Sequence, residues 1–123
     1  MYPENLKYTK DHEWIDQSAS PIQVGVTSFA VEQLGDIVHL DLPDVGTEIK
    51  QGDAFGTIES TKTVSDLYAP VTGKVSAINE DLAESPETLQ GAESGKLWLI
   101  KVDSVGETAE LLTSAEYEAY IQE

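Results

Sequence analysis

Glycine and proline recur along this chain too closely for long helices. Pro21, Gly25, Gly35, Pro43, Gly46, Gly52, Pro70 and Gly73 cut it into short runs, and most runs are rich in β-formers. Ile22-Gln23-Val24-Gly25-Val26 alternates as a half-buried strand does. Ile37 to Leu42 is expected to put Val38, Leu40 and Leu42 on one face. Leu6 to Thr9 and Thr47 to Lys50 read as short strands. In Lys74 to Ile78, Val75 and Ala77 should face away from Lys74, Ser76 and Ile78. Leu97 to Val102 is apolar enough to be a central strand, and Trp14 and Ile15 should turn into the core. Short strands with turn residues between them indicate an all-β sandwich or barrel.

Three stretches read as helical. Ser28 is the N-cap candidate and Gly35 the stop for about two turns, in which Phe29, Val31 and Leu34 form no clean stripe. Glu80 to Glu84 gives a helical turn before Pro86. In the tail, Thr113 and Glu116 fit a capping box, and Tyr117, Tyr120 and Ile121 fall on one face; Glu107 to Leu112 is expected to form a turn ahead of them.

Two β-rich runs, Ala54 to Ile58 and Val64 to Tyr68, flank a polar centre that contains Lys62. This reads as a hairpin presenting one lysine at its tip. Schiff-base chemistry needs an apolar setting or a nearby cation, whereas the neighbours of Lys62 are hydroxyls and acids. A lysine at an exposed tip suits covalent modification instead: the sheet fixes the backbone and the side chain projects.

Composition removes other classes. Twenty-three acidic against seven basic residues give a net charge of −16, which opposes binding to nucleic acid or to an anionic membrane surface. The charge serves solubility, or steers the chain toward basic patches on partner proteins. There is no cysteine, hence no disulfide or thiolate chemistry. His12 and His39 are far apart, and no metal site is expected. No phosphate-cradling loop or nucleophile motif is present. With no membrane-length apolar run and no signal-peptide pattern, one cytoplasmic domain spanning 1–123 is expected.

Taken in order, several segments resemble the H proteins of the glycine cleavage system, which carry lipoate. They are Tyr8-Thr9-Lys10-Asp11-His12-Glu13-Trp14, Val24-Gly25-Val26-Thr27, Glu32-Gln33-Leu34-Gly35-Asp36-Ile37-Val38, Asp41-Leu42-Pro43, Glu59-Ser60-x-Lys62-x-x-Ser65-Asp66-Leu67-Tyr68-Ala69-Pro70, Gly73-Lys74-Val75, Asn79-Glu80 and Trp98 to Val102. The resemblance implies a barrel-sandwich hybrid of two antiparallel sheets, with a short internal helix and a C-terminal helix. It implies lipoic acid in amide linkage on Lys62. A pyridoxal-phosphate decarboxylase (P protein) would load an aminomethyl group, a tetrahydrofolate-dependent T protein would take it, and dihydrolipoyl dehydrogenase would reoxidise the arm. The chain would then be a carrier and not an enzyme. By motif position, Glu59 would be read by the lipoate-attaching enzyme, and Glu13 and Asp66 would face a cleft for the returning arm.

The chain departs from the family pattern in two places. Thr61 and Thr63 stand where Val and Ala are usual. Between Leu89 and Trp98, Gln90 replaces the usual Asn, Glu93-Ser94 replace Pro-Tyr, and Leu97 replaces Gly. That second segment lies near the arm's cleft in the family, and it leaves an alternative reading, an H-like lipoyl protein acting in lipoate relay or another modification pathway. A biotin carrier shares the hairpin design but normally sets methionines around its lysine.

Overall fold

The structure, a computed structural model, describes residues 2–19, 21–90, 95–103, 106 and 111–122. Among these, strands β1 (Lys7–Tyr8), β2 (Glu13–Asp16), β3 (Ile22–Val26), β4 (Ile37–Asp41), β5 (Glu48–Ile49), β6 (Ala54–Ser60), β7 (Val64–Tyr68), β8 (Gly73–Ile78) and β9 (Ile100–Asp103) form two sheets. The larger has the order β1-β2-β3-β9-β8-β5 and the smaller β4-β6-β7. Every strand pair is antiparallel. Helices α1 (Ser28–Leu34), α2 (Glu80–Glu84) and α3 (Ser114–Ile121) are short. This is the expected mainly-β architecture of two antiparallel sheets.

The strands alternate because one face of each sheet leaves water. Ile15, Val24, Ile58, Leu67, Val75 and Ile100 are all buried in the main core. Each such side chain contributes about 1.5–3 kcal/mol through burial. Trp14 and Ile15 are both buried, but as neighbours on β2 they point to opposite faces. Ile15 enters the main core, whereas Trp14 joins Tyr2, Leu6, Tyr8 and Tyr117 in a second, aromatic cluster. That cluster is covered by α3, whose Tyr120 and Ile121 pack at its edge. The capping box that starts α3 is present in both directions: Thr113 Oγ1 accepts the Glu116 amide at 3.2 Å, and Glu116 Oε1 accepts the Thr113 amide at 2.9 Å.

Several details differ from the sequence expectation. The N-cap of α1 is Thr27 and not Ser28; Thr27 is extended, and its hydroxyl accepts the Ala30 amide. Gly35 does end α1, at φ +88. A bulge between Ile37 and His39 shifts the β4 pattern, so Ile37 and Leu40 are buried while Val38 is half exposed. A second bulge between Val75 and Ala77 breaks the alternation of β8 and lets Ile78 pack on the core. The last strand starts at Ile100 and not at Leu97, and it does sit centrally, between β3 and β8. Residues 107–110 of the expected helical turn lie outside the described residues. Leu112, its last residue, instead bridges Tyr8 in extended pairing.

Candidate functional site

β6 and β7 form a hairpin whose turn is Thr61-Lys62-Thr63. Ser60 organises it. The Ser60 amide donates to Thr63 O at 2.8 Å, and the nearly buried Ser60 hydroxyl accepts the amides of Lys62 (3.1 Å) and Thr63 (3.2 Å). The Thr61 amide donates to Asp36 O at 3.0 Å, tying the tip to the turn after α1. Gln90 supports that turn. Its Nε2 donates to Asp36 Oδ1 (3.1 Å), and its Oε1 accepts the Ile37 amide (3.3 Å). The Lys62 backbone is therefore fixed while its side chain is exposed. The side chain leans toward Gly35: a β carbon built there would lie 3.4 Å from Lys62 Cε.

A groove of about 290 Å³ runs along α1. Phe29, Ala30 and Leu34 form one wall, and Asp11, His12, Ser65 and Asp66 are among its polar lining. Leu34, which lines it, immediately precedes Gly35, so the lysine lies beside one end of the groove. The apolar residues of α1 face two ways: Val31 is buried in the main core with Leu34 packed at its edge, whereas Phe29 packs on the aromatic cluster, and Phe29 and Leu34 both line the groove. That division explains why α1 shows no single stripe.

The sequence-chosen acids separate. Asp66, on β7 opposite Thr57, is exposed in the groove lining. Glu13 does not line the groove and is only 2% exposed. Its Oε2 accepts the Tyr68 amide at 2.9 Å, and its Oε1 accepts the Thr9 hydroxyl at 3.4 Å. Burial pushes its pKa up to about 8, against the opposing effect of these hydrogen bonds. Of the two acids expected at a cleft, the structure presents Asp66 to it and sets Glu13 behind. Glu59 is half-buried between buried Ile58 and Ser60, on the outer face of the small sheet and cross-strand from His39 and Val64.

Two further polar contributors to the groove, Asp11 and His12, were missed as a site. The available signal was the run Lys10-Asp11-His12, polar residues directly before a strand that buries both its faces. His12 is also the one described residue other than glycine with positive φ, +67.

Comparison with known proteins gives these features a context. The family model described as glycine cleavage H-protein matches residues 6–123. The chain belongs to the glycine cleavage H-protein family. Relatives named glycine cleavage system H protein include one from Oceanobacillus iheyensis, 47% identical over 98% of each chain. Another, from Carboxydothermus hydrogenoformans, is 47% identical over 100% of this chain and 96% of its own. The crystal structure of a glycine cleavage system H protein from Mycobacterium marinum superposes with a TM-score of 0.90 at 42% identity, covering 98% of this chain and 99% of that one. Membership of this family makes the chain a lipoyl carrier component of the glycine cleavage system and not a catalyst.

Proposed function

We propose that Lys62 carries lipoic acid in amide linkage and that residues 1–123 form one cytoplasmic carrier domain. The observation that carries this reading is the exposed Lys62 side chain on a hydrogen-bonded turn beside an open groove. The residues fit the group: the turn holds the root of an arm while its end can travel. When bound, the dithiolane supplies a sulfur that can accept an aminomethyl group and can cycle between oxidised and reduced forms. In this reading Lys62 would hold an arm on which an aminomethyl group would pass from the P protein to the T protein, with dihydrolipoyl dehydrogenase as the partner that would restore the oxidised form.

The chain's own residues then act by placement. Glu59, beside the tip, is the residue offered to the lipoate-attaching enzyme. Phe29, Ala30 and Leu34 give the groove an apolar wall that excludes water, and Asp66 faces a cationic amine from the opposite side. Glu13 holds the Tyr68 amide, and so fixes the end of the strand that carries Asp66.

The test is glycine–bicarbonate exchange with the P protein, using lipoylated chain and a known H protein in parallel. Exchange comparable to that control supports the glycine-cleavage role. Lipoylation without exchange would favour lipoate relay.

A further inference from the structure

We propose that Tyr117 is a positioning residue for the groove: its buried hydroxyl joins His12, in one wall, to Thr27, the cap of the helix that forms the other. The hydroxyl lies 2.9 Å from His12 Nδ1 and 2.7 Å from Thr27 Oγ1. Tyr117 and Thr27 are fully buried. Thr27 is a junction in its own right. Its Oγ1 accepts the Ala30 amide, its carbonyl accepts the Val31 amide at 3.2 Å, and its own amide donates to His12 O at 3.0 Å. The start of α1 therefore depends on where Thr27 sits.

His12 supplies the second reason. Glycine would take its positive φ without strain, whereas a side chain there costs on the order of 1 kcal/mol. What glycine would lack is the ring. The ring lies 4.9 Å from Phe29 and 5.9 Å from Tyr120, and it bonds to Tyr117. Phe29 and His12 both line the groove, and Tyr117 does not. Tyr117 is itself held by stacking on Tyr8 at 5.0 Å and by an edge contact with Tyr2 at 5.2 Å. The C-terminal helix, which contributes no residue to the groove lining, thus sets the distance between its walls.

With Thr27 donating to Tyr117, Tyr117 donates to His12 Nδ1, and both buried hydroxyl protons have an acceptor. With Nδ1 protonated, Tyr117 would donate to Thr27 Oγ1, which already accepts the Ala30 amide, so the first arrangement is the one that uses both hydroxyl protons. Burial lowers the His12 pKa, with Asp11 opposing, and raises that of Tyr117. The join therefore stays uncharged near neutral pH.

The test uses the full, unmodified chain carrying Tyr117→Phe, which removes the hydroxyl and leaves the ring in its stack. Hydrogen exchange at Ala30 and Val31 should quicken about tenfold, the size of one lost hydrogen bond of ordinary strength. The His12 ring nitrogen resonances should move, while amides of β3 and β9 keep their rates. Unchanged exchange in α1 with unchanged His12 resonances would overturn the proposal.

His12→Asn, which tolerates positive φ but has no imidazole, gives an independent reading should Tyr117→Phe fold poorly. It should loosen the same α1 amides, and combining the two should add little; strictly additive effects would overturn the proposal. The consequence for the arm rests on the carrier reading and is measured separately, as changes in Phe29, Ser65 and Asp66 resonances on lipoylation. Failure to see those changes in the wild type would remove the groove from the arm's path. It would leave the Tyr117 result to stand on the unmodified chain.

Discussion

The Glu13 carboxyl, buried on β2 of the large sheet, accepts the backbone amide of Tyr68 on β7 of the small sheet at 2.9 Å. A side chain of one sheet thereby anchors the end of the lysine hairpin. Burial raises the folded-state pKa of Glu13 from 4.5 to about 8. Below about pH 4.5 the carboxyl is protonated in both folded and unfolded chains, and its stabilising contribution is fully present. Between 4.5 and 8 the unfolded chain ionises first, so stability falls as pH rises, by roughly 3–5 kcal/mol if the whole shift acts. Glu13→Gln keeps the acceptor and does not titrate. The difference in denaturation free energy between wild type and this variant should therefore change across pH 4.5–8. A constant difference would show that Glu13 ionises freely.

Gly25 is needed where β3 crosses Trp14. A β carbon there would fall directly on the indole, against Cε2, Cζ2 and Nε1. Gly25→Ala should displace Trp14 from the aromatic cluster and cost about 1–3 kcal/mol, the usual range for overpacking a well-filled core. Denaturant midpoint and tryptophan fluorescence together check it. An unchanged emission spectrum with unchanged stability would contradict the packing described.

The strands, the capping box and the lysine hairpin could be read from sequence because each rests on local chemistry. Alternation requires two faces, Thr113 and Glu116 require only one helical turn, and the lysine needs only its flanking strands. The bulges in β4 and β8 were not legible. Nothing in Ile37-Val38-His39 says that one residue will be skipped in pairing with β6, so simple alternation puts Val38 on one face with Leu40 and Leu42. Nor could the fate of Glu13 be read locally. Its burial depends on Tyr68, 55 residues away, offering an unpaired amide. The groove was legible only in fragments, because His12, Phe29 and Asp66 meet through three different elements.

Gln90, at a position where the sequence departs from the family pattern, bears on the lysine tip through Asp36. Gln90→Ala should free the Asp36 turn and quicken exchange of the Thr61 amide, which donates to Asp36 O. The loss of an exposed hydrogen bond is worth about 0.5–1.5 kcal/mol, so the fold should persist. Exchange at Thr61 equal to wild type would show that the tip does not depend on Gln90.

Thr113→Ala removes the acceptor for the Glu116 amide at the start of α3. Thermal unfolding should report a loss of about 1 kcal/mol, with a range of 0.5–2 for N-cap deletions. Because α3 covers the aromatic cluster, near-ultraviolet dichroism should weaken before the sheet signal does. Simultaneous loss of both signals would mean that α3 and the sheets unfold as one unit.

If the net charge of −16 steers the chain to its partners, apparent affinity for the P protein should weaken as salt rises. A flat salt response would leave solubility as the role of the charge.

The central claim is that Lys62 is an attachment point. Its most direct test is the intact mass of the full chain, produced in a lipoate-competent host, beside that of Lys62→Arg. The account predicts one lipoyl amide on the wild type and none on the variant, with both chains folded. A folded wild-type chain that stays unmodified, or a variant that still gains the group, would contradict it.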